Sequence, residues 1–132
     1  MSHIIDRMLE SDAFSNWMGI EVLESGKGHC KLKMLVRPEM CNGFGIAHGG
    51  ITFSFADSAL AFASNTHGKK CVALDCSISF PNAVKVGETI FAEAKEESLT
   101  NKTGVYLIKV TNQNKDTVAL FKGTVYRTSK EW

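Results

Sequence analysis

The sequence predicts an α+β fold in which an antiparallel β-sheet wraps around one long central helix. Three observations predict it. Gly49 to His67 has helical character and is apolar on nearly every side, through Ile51, Phe53, Phe55, Ala56, Ala59, Leu60, Ala61, Phe62 and Ala63. Stretches of two-residue alternation stand on both sides of it, two before and four after, and that order of elements suits a sheet curled over a helix. The composition, 44% hydrophobic and 22% charged, is that of a chain that folds, and 132 residues suffice for a single domain over 1–132.

The elements follow in order. Ile4, Ile5, Met8 and Leu9, spaced by three and four, predict a short leading helix over residues 4–14. From Ile20 to Val36, Cys30, Leu32, Met34 and Val36 alternate with His29, Lys31 and Lys33, and the break at Ser25-Gly26-Lys27-Gly28 makes a β-hairpin. Arg37-Pro38 ends that strand, and Glu39 to Ala47 reads as a loop running into His48-Gly49-Gly50. A helix apolar all round belongs in a core, and Asn65-Thr66-His67-Gly68 ends it with glycine in the left-handed position. Strands over 70–80, 88–98, 103–113 and 117–128 complete the chain. Val105 and Leu107 alternate with Tyr106 and Ile108, so both faces of that strand are apolar, which favours an oligomer.

Composition also narrows function. Fifteen Lys+Arg against 14 Asp+Glu give a net charge of +1, which supplies no basic field for nucleic acid. The four cysteines form no C-x-x-C pair and fit free thiols in a reducing cytoplasm. The N-terminus turns charged within six residues, and no apolar run reaches the ~18 residues of a membrane span, so neither secretion nor a membrane partner is expected. Histidine and cysteine spacings give no metal site, and P-loop, dinucleotide and nucleophile-elbow motifs are missing, so cofactor-free chemistry is expected.

The residue that most needs explaining is Asp57, which interrupts Phe53-Ser54-Phe55-Ala56 and Ser58-Ala59-Leu60. A carboxylate in a core is costly unless paired, hydrogen-bonded or protonated. It is either a structural acid tied by Ser54, Ser58 or a strand, or a functional one. The glycine-rich loop Asn42 to Gly50 leads into the first turn of the same helix, whose free N–H groups can hold an oxyanion. Gly49 and Gly50 equally suit close packing. His48 can bond a substrate carbonyl or cap the helix; Asn42 can orient a water or order its own turn; Ser58 can assist Asp57 or bond the preceding turn. Met40, Phe44, Phe53 and Phe62 suit an acyl pocket or a core. Eight residues at 1.5 Å rise put Gly49 and Asp57 about 12 Å apart, so one carbonyl meets both only if they come from two subunits with antiparallel helices.

Asn42-Gly43, His48-Gly49-Gly50 and Ala56-Asp57-Ser58-Ala59 resemble the hotdog-fold thioesterases of the phenylacetic acid degradation (PaaI) type. Lys102-Thr103-Gly104-Val105-Tyr106, Asn112-Gln113 and Thr117 to Gly123 extend the resemblance over nearly the whole chain. It implies hydrolysis of aryl-acetyl-CoA thioesters such as phenylacetyl-CoA or hydroxyphenylacetyl-CoA, and a homotetramer built as a dimer of dimers. By position it makes Asp57 the nucleophile or general base, the Gly49 N–H the oxyanion donor, His48 and Asn42 polarising and orienting groups, and Ser58 a helper. Phe44, Phe53, Lys102, Thr103 and Gly104 are the substrate-contact candidates. The chain departs from the group at Pro81-Asn82-Ala83-Val84-Lys85, where an arginine-proline pair is frequent, which leaves Lys85, Lys102 and Lys122 as candidates for the CoA phosphates. The alternatives are a non-catalytic acyl-CoA-binding hotdog protein and a hotdog enoyl-CoA hydratase or dehydratase.

Overall fold

The computed structural model describes residues 3–132. Six antiparallel strands form one sheet around a central helix. The leading segment is two helices rather than one, α1 (His3–Ser11) and α2 (Ala13–Met18). Asp12 divides them, because its side chain accepts the Ser15 N–H at 2.9 Å and starts a new helix. Strands β1 (Glu21–Gly26) and β2 (His29–Leu35) form the expected hairpin. The central helix α3 (Gly49–Asn65) leads into β3 (Lys69–Ser79), β4 (Thr89–Leu99), β5 (Thr103–Asn112) and β6 (Thr117–Glu131). Sheet order is β1-β2-β4-β5-β6-β3, so β3 joins the sheet through β6 alone and lies at an edge.

The inner face of the sheet carries Leu32, Met34, Ile90, Ala92, Tyr106, Ile108, Phe121 and Val125, all buried. They close on Phe55, Ala59, Leu60, Phe62 and Ala63 of α3, each such large side chain contributing about 1.5–3 kcal/mol by leaving water. The helix approaches β6 closely because position 123 is glycine; a Cβ there would stand 2.5 Å from Leu60 Cδ2. At the other end of α3, Thr66 Oγ1 accepts the Gly28 N–H at 2.8 Å, and Asn65 Oδ1 takes the Trp132 indole N–H at 2.8 Å. Gly68 follows at φ +103°, the reversal into β3.

The burial of α3 is incomplete. Gly50 is exposed, and Phe53, Ser54, Asp57 and Ala61 are only half-buried, a stripe spaced by three and four along one flank. No helix among the described residues is long and apolar enough to cross a membrane.

Candidate active site

The loop before α3 is fixed by its own hydrogen bonds. Asn42 N donates to Ile46 O at 2.8 Å, Ala47 N to Val84 O at 2.7 Å, and His48 N to Met40 O at 2.9 Å. The Asn42 side-chain oxygen accepts the Phe44 N–H at 2.9 Å and the Ile46 N–H at 3.5 Å. Those two donors identify the oxygen, so the amide NH2 of Asn42 faces away from the loop backbone.

His48 caps α3. Its Nδ1 accepts the Gly50 N–H at 2.8 Å, and its carbonyl accepts Ile51 N and Thr52 N at 2.9 and 3.4 Å. An Nδ1 that accepts carries no hydrogen, so the neutral ring bears it on Nε2, as a donor pointing out of the cap. The Gly49 N–H is left without an acceptor among the described residues, at the positive end of a 17-residue helix. Beside it lies a cavity of about 230 Å³ lined by Ile46, Ala47, Thr52, Phe80 and Val84. The Phe80 ring stands 3.4 Å from where a Cβ of residue 49 would be, so glycine keeps this approach open.

Asp57 lies two turns further along. Its carboxylate makes no hydrogen bond among the described residues and borders a cavity of about 100 Å³ with Leu60, Ala61, Ser64, Cys71, Ala73 and Val125. That cavity sits between α3 and the edge strand β3. Burial holds the Asp57 carboxyl above the usual carboxylate range, and the negative charge of Asp12 adds to the effect.

Ser58 is turned the other way. It is buried, and its hydroxyl meets Ser15 Oγ of α2 at 2.8 Å. Within one chain it therefore serves the α2 contact rather than Asp57. Phe53 packs edge to face on Phe121, with ring centroids 5.2 Å apart. Phe44 is 89% exposed and lines neither cavity. Lys102 lies in the β4–β5 turn and Thr103 and Gly104 open β5, near the C-terminal end of α3: Lys102 O accepts Arg127 N at 2.7 Å, and the adjacent Asn101 takes Lys69 Nζ at 3.0 Å. Gly104 is buried between Tyr106 and Val125, a packing reason for its missing side chain. One chain thus unites Asn42, His48 and Gly49 at one end of α3, holds Asp57 midway, and carries residues 102–104, where the β4–β5 turn enters β5, at the far end.

The sequence did not single out Asp12, Ser15 or Phe80. Asp12 carried a readable signal, an N-capping residue directly before a helix; Phe80, after a strand, carried none. A depression of about 520 Å³ lies on the outer sheet face among Ile78, Leu107, Leu120, Lys109 and Glu93, away from α3. That face also holds Glu24, His29 and Glu93, with ligand atoms within 4.8 Å of one another and His29 already bonded to Glu93 at 3.0 Å.

Residues 44–119 match the profile of the thioesterase superfamily. A protein of Archaeoglobus fulgidus, provisionally named an esterase, is 41% identical over 132 residues, which is 100% of this chain and 86% of that protein. Acyl-coenzyme A thioesterase PaaI of Escherichia coli is 39% identical over 120 residues, 91% of this chain and 86% of the relative. The solved structure of E. coli PaaI, from the phenylacetic acid degradation operon, superposes with a TM-score of 0.94 at 37% identity, covering 96% of this chain and 91% of that one. A Streptococcus mutans protein solved bound to acetyl CoA superposes at 0.83 with 29% identity, covering 86% and 91%.

Proposed function

This chain belongs to the thioesterase superfamily, with the hotdog fold and an acyl-CoA thioesterase of the PaaI type among its relatives, and from that premise we propose that it hydrolyses aryl-acetyl-CoA thioesters. Phenylacetyl-CoA or its hydroxylated forms would yield the free acid and CoA, in a cytoplasm that the four free thiols suit. The observation that carries the catalytic assignment is the half-buried Asp57 carboxylate, to which no group among the described residues is hydrogen-bonded. A purely binding hotdog protein would gain from an apolar residue there, because an unpaired acid in a pocket is costly. A dehydratase would need a histidine paired with an acid at the same site; His48 there spends its Nδ1 on the Gly50 N–H, while the acid-paired His29 and His67 lie with Glu93 and Glu96 away from the start of α3.

The thioester carbonyl oxygen accepts the Gly49 N–H, with His48 Nε2–H and the Asn42 amide as further donors. Ionised Asp57 takes a proton from a water as that water attacks the carbonyl carbon. The oxyanion is held by the helix N-terminus until the carbon–sulfur bond breaks, and the CoA thiolate leaves with the proton returned through Asp57. Asp57 as direct nucleophile needs the same groups, but a general base needs no covalent intermediate.

The site is shared between two subunits. Within one chain Gly49 and Asp57 stand about 12 Å apart along α3. The half-buried stripe Phe53, Ser54, Asp57, Ala61 and the unpaired edge of β3 lie side by side, and both are of the kind that a second copy covers. Antiparallel α3 helices would bring Asp57 of one chain to His48 and Gly49 of the other, and with it the far-end residues Lys102, Thr103 and Gly104 as a contact for CoA. The apolar outer trough at Leu107 and Leu120 suits the second interface of a dimer of dimers.

Release of free CoA from phenylacetyl-, hydroxyphenylacetyl-, benzoyl- and straight-chain acyl-CoAs tests the substrate class, with Asp57→Ala alongside. Fastest cleavage of an aryl-acetyl ester, lost about 10²-fold in the folded variant, is expected. No cleavage of any ester, or an active Asp57→Ala protein, would return the binding-protein reading; hydration of crotonyl-CoA would return the dehydratase.

A further inference from the structure

Behind Asp57, on the side away from its cavity, runs a short chain of hydrogen bonds that the reaction as described does not use. Asp12 Oδ1 accepts the Ser15 N–H at 2.9 Å, and its Oδ2 accepts the Ser15 hydroxyl at 2.6 Å. Ser15 Oγ then meets Ser58 Oγ at 2.8 Å, 43 residues away in sequence. Because the Ser15 hydrogen is committed to Asp12, the Ser58 hydroxyl donates to Ser15. Every hydroxyl in the chain points toward the Asp12 carboxylate, and the Asp12 bond is of the short, charge-assisted kind.

Ser15 is 1% exposed and Ser58 8%, so two hydroxyls lie where a pair of alanines would pack at less desolvation cost. A helix start needs one capping oxygen, which Oδ1 supplies. The second carboxylate oxygen and both hydroxyls exceed what capping requires. Their common effect is to bind α2 to the middle turn of α3, at the residue next to Asp57.

We propose that Asp12 and Ser15 are positioning residues for the hydrolysis: through Ser58 they fix the turn of α3 that carries Asp57, and the Asp12 carboxylate keeps a negative charge behind the base. This rests on the reading of Asp57 as the base. Two like charges resist ionising together, so the Asp12 charge and burial both make Asp57 a stronger base once it is ionised. The other titratable groups facing Asp57 come from β3. They are Cys71, which shares its cavity, and Cys76, which feels its charge; burial raises both thiols above their ordinary range, so neither adds a charge at neutral pH. Arg127 lies by Cys71 and Asp75 by Cys76, each one group further off. Asp12 is then the one charged side chain among these that acts on Asp57 directly.

Asp12→Asn keeps the capping oxygen and the volume but removes the charge, and Ser15→Ala cuts the chain. The Asp57 carboxyl carbon is followed by ¹³C NMR against pH, its resonance assigned by its disappearance in Asp57→Asn, and kcat and KM are measured over the same range. In Asp12→Asn the Asp57 titration and the acidic limb of kcat should both move to lower pH. Ser15→Ala should lower kcat about ten-fold with KM little changed, since positioning acts on the transition state. An Asp57 titration and kcat profile identical to wild type in folded Asp12→Asn would overturn the proposal. Should Asp12→Asn not fold, Asp12→Ser, which also caps, takes its place. The NMR titration does not depend on catalysis, so an active Asp57→Asn enzyme would refute the role of Asp57 without being mistaken for failure of the Asp12 effect.

Discussion

His48 Nδ1 accepts the Gly50 backbone N–H at 2.8 Å, and this one bond both caps the central helix and fixes which ring nitrogen faces outward. Capping and catalysis can be separated by substitution. Asparagine is a good N-cap, so His48→Asn should melt within about 0.5 kcal/mol of wild type, whereas His48→Ala should lose about 1 kcal/mol. Both should lose the outward Nε2–H donor and with it about ten-fold or more in kcat. Thermal melts and CoA release on the same preparations check this. Full activity in His48→Asn would reduce the imidazole to a cap.

Asp57 illustrates the conflict between a site and its fold. Its carboxyl is held above the usual range by burial first and by Asp12 second. A carboxyl whose folded value exceeds its unfolded value favours folding fully below the unfolded value, and that contribution is lost as pH rises through the folded one. At neutral pH and above, the ionised group therefore destabilises the protein. Asp57→Asn should melt higher than wild type at pH 8, with the difference shrinking as pH falls into the acid range, while kcat drops by about 10² or more. Melting curves at pH 8 and pH 4 are the check; a variant less stable than wild type at pH 8 would mean that the carboxylate is paired in the assembled protein.

Cys30 gives a prediction about thiol chemistry. Its side chain is fully buried and donates to Ala59 O at 3.3 Å, and burial pushes the thiol up to about 12. Reactivity belongs to the thiolate, so Cys30 should stay unmodified when the native protein meets an aromatic disulfide at pH 8 and should react only on unfolding. Mass spectrometry of the labelled peptides decides this. Rapid native labelling of Cys30 would mean that β2 opens away from α3.

What the sequence disclosed and what it withheld divide along physical lines. The strands and α3 were legible because alternation and an all-apolar helix follow directly from burial, and each lies within a residue or three of its expected bounds. Asp57 stood out because a carboxylate inside such a helix is costly unless paired, protonated or functional, and it lies half-buried at a cavity rather than in the core. The division of 4–14 into two helices was not foreseen, since the apolar spacing of Ile4, Ile5, Met8 and Leu9 says nothing of the Asp12 cap. The attachment of Ser58 to Ser15 joins residues 43 apart, and no local pattern encodes it. The placing of Phe80 against Gly49 arises where the end of β3 folds back over the helix start, again a tertiary event. Phe44, offered by sequence for an acyl pocket, stands exposed, because Gly45 at φ +76° turns the loop tip outward.

The shared site makes a prediction that mixing can test. Asp57→Asn alone should lose about 10² or more in kcat and His48→Ala about ten-fold or more, because every site in either homodimer lacks one group. In a mixed dimer, the Asp57 of the His48→Ala chain faces the intact His48 and Gly49 of the Asp57→Asn chain, which restores one of its two sites. Random exchange makes about half of the dimers mixed, so activity should return to about a quarter of wild type after co-refolding. A site built within one chain has no such route, since each chain would carry its own defect into any partner. Ala61→Arg sharpens the test. Ala61 is half-buried on the α3 stripe, and a guanidinium there would put a bulky, unpaired charge into the face that the partner helix covers. That variant should sediment as a monomer and be inactive although Asp57, His48 and Gly49 are all present; an active Ala61→Arg monomer would place the whole site within a single chain.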